Sequence, residues 1–106
     1  MNPRGVLAEL RAVHYLRRHG YRVMSTRWHG GGGEIDIVAR EGGLLVFIEV
    51  KSSPRLGEGA QRVDNAKTAH LRRAASAYLY QYGQESFRFD ILEESDAGFR
   101  LIRNAF

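Results

Sequence analysis

The chain has 106 residues, with 16 Lys and Arg against 12 Asp and Glu, a net charge of +4 and a pI near 9.9. A length near the modal domain size supports one domain with one core, and 43% apolar with 26% charged residues excludes disorder throughout. Cysteine is absent, which excludes a disulfide framework, a thiolate zinc site and a cysteine nucleophile. No apolar run reaches the ~18 residues that span a bilayer. Met1-Asn2-Pro3-Arg4-Gly5 lacks the apolar core of a secretion signal. The expectation is a cytoplasmic protein with no membrane partner.

In chain order, residues 4–19 read as a helix. Val6, Leu10, Val13 and Leu16 recur at three- and four-residue steps, Asn2 and Pro3 suit its start, and Gly20 its end. Tyr21 to Trp28 is β-prone, and Gly30 to Gly33 reads as a flexible glycine loop. Glu34–Glu41 and Leu44–Lys51, joined by Gly42-Gly43, read as a hairpin. Ser52 to Gly59 reads as a loop. Asp64 can cap a second helix running to about Tyr82, with Gly83 past its end. Phe87–Leu92 and Phe99–Arg103 read as strands about a turn at Ser95–Gly98. The order is α-β-β-β-α-β-β, which predicts an α/β fold with a small mixed sheet flanked by helices.

A two-residue Gly42-Gly43 turn sets the hairpin register. Glu41 pairs with Leu44, Val38 with Phe47, Asp36 with Glu49 and Glu34 with Lys51. Alternation then places Glu34, Asp36, Glu49 and Lys51 on one face, shared with Val38, Leu45 and Phe47. Ile35, Ile37, Ala39, Val46, Ile48 and Val50 occupy the other. Two facing carboxylates repel, and a divalent cation such as Mg²⁺ relieves that repulsion with one or two carboxylates plus water. The Val50 carbonyl can add an oxygen. The Lys51 ammonium beside them can orient an attacking water or offset charge on a phosphate. The competing reading is a solvated sheet face with a cross-strand Glu34–Lys51 pair. Half-covered carboxylates on a face shared with Phe47 need partners, which favours a site.

On the first helix Glu9 falls inside the apolar arc. If that helix packs on the polar face of the hairpin, Glu9 joins Asp36 and Glu49. On the second helix Lys67, Leu71, Ala74 and Tyr78 form the inward stripe, with Thr68, Ala75 and Tyr82 close by, while Tyr80 points outward. Lys67 can meet a phosphate or a carboxylate there, or lay its stem along the core edge. Only two of the 16 basic residues are lysines; Lys51 falls in the proposed catalytic triplet, where the planar guanidinium of Arg is a poor substitute, and Lys67 on the inward stripe of the second helix. Arg55, Arg62, Arg72 and Arg73 flank the site and are candidates for nucleic-acid phosphates. The glycine run lacks a phosphate-loop pattern, and the four histidines show no metal-ligand spacing.

Asp36 followed by Glu49-Val50-Lys51 on the next strand resembles the PD-(D/E)xK nuclease signature. The chain from about Gly5 to Phe106 resembles the YraN family, a small bacterial group of restriction-endonuclease-like fold related to Holliday-junction resolvases. The resemblance runs through Glu9, Ala12, Tyr15-Leu16 and Gly20-Tyr21, then Gly33-Glu34-Ile35-Asp36 and Val46 to Lys51. It continues through Lys67, Ala74-Ala75, Tyr78-Leu79, Arg88-Phe89-Asp90 and Ala105-Phe106. It implies Asp36 and Glu49 as ligands of Mg²⁺ or Mn²⁺, Lys51 as the catalytic lysine and Glu9 as an accessory acid. It implies phosphodiester hydrolysis in branched or structured DNA by a homodimer. Three positions depart from the pattern: Ile35 stands where the signature has Pro, Arg27 where the family has Asn, and Thr68 where it has Gln. The alternative reading is a nucleic-acid-binding module that keeps the fold with little chemistry.

Overall fold

The computed structural model describes residues 3–52 and 65–106, with side chains from Leu7 to Ser52 and from Thr68 onward. The elements are α1 (Pro3–Arg18), β1 (Tyr21–Gly30), β2 (Gly33–Glu41), β3 (Leu44–Ser52), α2 (Asn65–Tyr82), β4 (Phe87–Ser95) and β5 (Gly98–Ile102). Asn2, Asp64, Arg55, Arg62 and the loop beyond Ser52 lie outside the described residues.

The five strands form one sheet in chain order, β1-β2-β3-β4-β5. Three junctions are antiparallel and made by short turns, whereas β3 and β4 run parallel. A parallel neighbour needs a long crossover, and α2 lies within it. The predicted hairpin register holds from Glu41↔Leu44 through Val38↔Phe47 to Ile37↔Ile48.

The sheet is buried on both faces. On one, Ala12 and Leu16 of α1 pack with Ile37, Ala39, Val46, Ile48 and Leu92. On the other, Leu71, Ala74, Ala75, Tyr78 and Leu79 of α2 pack with Ile35, Val38, Leu45, Phe47 and Phe89. A strand covered on both sides needs apolar residues at consecutive positions, and Leu45-Val46-Phe47-Ile48 supplies them, all fully buried.

Several expectations change. Gly30–Gly33 is a tight hairpin rather than a flexible loop: β1 ends at Gly30, β2 starts at Gly33, and Gly31 and Gly32 take φ of +61° and +79°, the left-handed values a two-residue turn requires. Leu10 is 61% exposed, because α1 is rotated so that Ala12 and Leu16, not Leu10, face the sheet. Tyr82 is also exposed, beyond the end of the covered stripe, although its ring still meets Tyr78 at 4.6 Å. Tyr80 points outward as expected. Ile35 joins the α2 side and Ile37 the α1 side, so strict alternation slips at Asp36. No described helix is long and apolar enough to cross a membrane.

Candidate functional site

The slip at Asp36 defines the site. Beyond the Ile37↔Ile48 pair, the Val50 amide donates to Asp36 Oδ2 at 2.8 Å. A side-chain carboxylate thus takes the place of a backbone acceptor at the point where the β2–β3 ladder ends. The opening holds a cavity of about 440 Å³ lined by Gly33, Glu34, Asp36, Glu49, Val50, His70 and Leu71. Alternation from Phe47 carries Glu49 and Lys51 to this same side. Lys51 Nζ lies 3.4 Å from Glu49 Oε1, with both side chains nearly covered.

Glu34 lines the cavity, and on its β1 side its ladder partner is His29, whose Nε2 lies 3.7 Å from Glu34 Oε1. The β2–β3 ladder ends at Ile37↔Ile48, so the expected pairing does not continue as backbone ladder to Asp36 and Glu49 or to Glu34 and Lys51.

Glu9 is half-buried at the margin of the α1 face. However, α1 packs on the Ile37/Val46/Ile48 face, opposite to the face that carries Glu49 and Lys51. The condition under which Glu9 joins Asp36 and Glu49, α1 packed on the polar face, is therefore not met. Arg27 Nε donates to Glu9 Oε2 at 2.6 Å. Arg27 sits between Thr26 and Trp28, whose partners are Ile37 and Ile35, so it stands level with Asp36. Arg27 adopts a φ of +53°, a left-handed conformation that Gly and Asn accept more readily than Arg. The position where Arg27 departs from the family pattern is thus one whose backbone suits Asn.

Thr68 is half-buried in the first part of α2, and Lys67 occupies the same turn with its side chain outside the described residues. Arg73 donates from its guanidinium at 2.8 Å to Nδ1 of His70, itself a cavity-lining residue. Arg72 instead lies over the rings of Phe89 and Phe106, at 5.2 and 5.7 Å, which ties it to the C-terminal aromatic stack.

Two residues at this end of the sheet were not singled out from the sequence. His70 lines the cavity. No histidine spacing marks it; its place next to the buried Leu71 is the available signal. Glu93 is fully buried and pairs in register with Lys51. The signal is the alternation Phe89, Ile91, Glu93, visible only once β4 continues past Leu92 to Ser95.

A second polar cluster lies elsewhere in the described residues. Asp90, fully buried on β4, accepts from Tyr21 Oη, Arg88 Nε and Nη2, and the Asn104 amide. Arg88 and Arg103 both reach Glu41. Glu41 is five residues along β2 from Asp36, roughly 17 Å away at strand rise. This network joins β1, β2, β4 and the C-terminal segment and closes the far end of the sheet.

The donor set around the cavity fits a hard cation: two carboxylates, Asp36 and Glu49, and the backbone of Val50. Among the described residues no group of three or more His, Asp and Glu converges as a ready-made cage. A cation that keeps several waters and takes one or two carboxylates suits such a set, and Mg²⁺ and Mn²⁺ are of that kind.

Fold and site together define a small α/β protein with an Asp…Glu-x-Lys cluster where its central hairpin parts. The chain belongs to the uncharacterised protein family UPF0102, also called the YraN family, whose model matches residues 8–93. It is 39% identical to a UPF0102 protein of Symbiobacterium thermophilum over 96% of this chain and 94% of that one. It is 38% identical to one of Dehalococcoides mccartyi over 95% and 90%. A third, from Rhodopseudomonas palustris, is 41% identical over 83% and 70%.

Proposed function

We propose that the protein is a metal-dependent endonuclease that hydrolyses phosphodiester bonds, with branched or structured DNA as its substrate class. The observation that carries this reading is the convergence of Asp36 and Glu49 on one cavity, with the Lys51 ammonium against Glu49. Asp36, Glu49 and the Val50 carbonyl would hold Mg²⁺ or Mn²⁺, which when bound supplies Lewis-acid polarisation of a phosphate oxygen and a more acidic water. Lys51 places a compact positive charge beside the same carboxylate, where it offsets charge developing on the phosphate and orients the attacking water. Hydrolysis forms one P–O bond from water and breaks one to the leaving sugar oxygen. The mild basic excess and Arg73 beside His70 suit a polyanion. Cytoplasmic location, a single domain and a homodimer belong to the same reading.

The test is a cleavage panel of labelled linear, forked and four-way-junction DNA with Mg²⁺, Mn²⁺ or chelator. Wild type cleaves at least one substrate with a cation, and Lys51→Ala and Asp36→Ala do not. Cleavage that persists unchanged in both variants overturns the assignment.

A second reading, a nucleic-acid-binding module of the same fold, draws on the pairing of Glu9 with Arg27, which engages the proposed accessory acid. It expects salt-sensitive DNA binding and no cleavage with any cation.

A further inference from the structure

His70 stands on α2 at a point where helix and sheet touch. A Cβ built on Gly33 would come within 2.4 Å of the His70 carbonyl oxygen, so the start of β2 is pressed directly against the helix backbone there. Gly33, Glu34, Asp36 and His70 consequently line one cavity. The imidazole Nδ1 lies 2.8 Å from Arg73 Nη2. A guanidinium has donors only, so Nδ1 is the acceptor of this bond. The proton of the neutral ring is then on Nε2, which leaves an N–H donor as the ring's other polar group.

We propose that His70 is a substrate-binding residue that donates Nε2–H to a phosphate oxygen, with Arg73 as the positioning residue that sets its tautomer. Asp36 and Glu49 border the same cavity. An N–H donor bonds a phosphate oxygen without adding a further charge beside Lys51 and the carboxylates. The ligand class is a phosphodiester anion, and its identity as nuclease substrate rests on the function proposed above.

Two measurements test this. Long-range ¹H–¹⁵N spectra of the wild-type imidazoles should show His70 as the Nε2–H tautomer, with the preference lost in Arg73→Ala. Anisotropy of labelled DNA, with Ca²⁺ replacing Mg²⁺ to hold cleavage off, should show roughly five-fold weaker binding for His70→Ala. His70→Gln, which carries an amide N–H near the Nε2 position, should recover most of the loss. In turnover the Ala variant raises KM and leaves kcat within about two-fold, as loss of uniform binding requires. An Nδ1–H tautomer in the wild type, or His70→Ala binding equal to wild type, overturns the proposal. If wild type cleaves nothing with any cation while His70→Ala still weakens binding, the nuclease reading falls and the phosphate site stands. If wild type cleaves and the Ala variant changes neither binding nor KM, the His70 proposal falls alone.

Discussion

The Val50 amide donates to the side chain of Asp36, at 2.8 Å, just beyond the last backbone pair of the β2–β3 ladder. The carboxylate therefore has two tasks: it satisfies an amide where the strands part, and it borders the cavity that Glu49 also lines. A backbone acceptor would have continued the ladder and left no room between the strands.

The two tasks of Asp36 are separable by substitution. Asp36→Asn keeps an acceptor for Val50 and should cost less than about 1 kcal/mol. Asp36→Ala leaves a half-buried amide unmet and should cost about 1–3 kcal/mol. Both should abolish Mn²⁺ binding in calorimetry, since the charge is gone. Wild-type Mn²⁺ affinity in Asp36→Asn would remove this residue from the cation site.

The network at the other end of the sheet should govern stability without touching the site. Asp90 is fully buried and bonded to Tyr21, Arg88 and the Asn104 amide. Asp90→Ala takes the acceptor from the Tyr21 hydroxyl and the Asn104 amide and leaves Arg88 with Glu41 alone, and should cost about 3 kcal/mol. Tyr21→Phe should cost about 1 kcal/mol. Burial, reinforced by the neighbouring Asp90 carboxylate, raises the Tyr21 phenol above its ordinary pKa, so the hydroxyl stays a donor across the working range. Urea denaturation measures both costs, and Mn²⁺ affinity of Tyr21→Phe should match wild type.

Stability should also fall with acid through Glu41. Hydrogen bonds from Arg103 first, and from Arg88, outweigh burial and hold its carboxyl down to about 2 from 4.5. A carboxyl with a depressed folded-state pKa stabilises fully above its unfolded value and loses that stabilisation as pH falls through the folded one. The loss attributable to Glu41 should lie between those two values. Denaturation midpoints measured across that window should drop more steeply for wild type than for Glu41→Gln; parallel curves would refute the linkage.

Gly33→Ala should destabilise the protein by about 1–3 kcal/mol, because its Cβ meets backbone rather than a side chain that can turn aside. The same displacement should separate β2 from α2 and weaken DNA binding beyond the His70→Ala effect. A melting temperature equal to wild type would show that the two backbones part freely.

Much of the fold was legible because its signals are local. Gly42-Gly43 determined the hairpin register from Glu41↔Leu44 to Ile37↔Ile48, since a two-residue turn leaves no other pairing. Gly20 and Gly83 closed the helices where expected, at φ of +89° and +113°. Leu10 was misplaced because three- and four-residue spacing identifies an apolar arc without its centre; Ala12, too small to stand out, is the residue that lies against the sheet. The acids and lysine of the candidate site were legible in the hairpin, whereas α1 covers the opposite face and its Glu9 pairs with Arg27. No spacing along the chain encodes which face of a sheet a helix covers.

By itself, then, the sequence determined the order of elements, the hairpin register and the residues Asp36, Glu49 and Lys51 as a set. Turns, periodicity and alternation act over a few residues and need no knowledge of distant contacts. Tertiary structure alone decided that the ladder ends at Asp36, that α1 and α2 take opposite faces, and that His70 and Glu93 stand with the site. These depend on which backbone presses against which. Gly33 on the His70 carbonyl and β4 beside β3 join residues far apart in the chain, and only packing of the whole core selects such contacts.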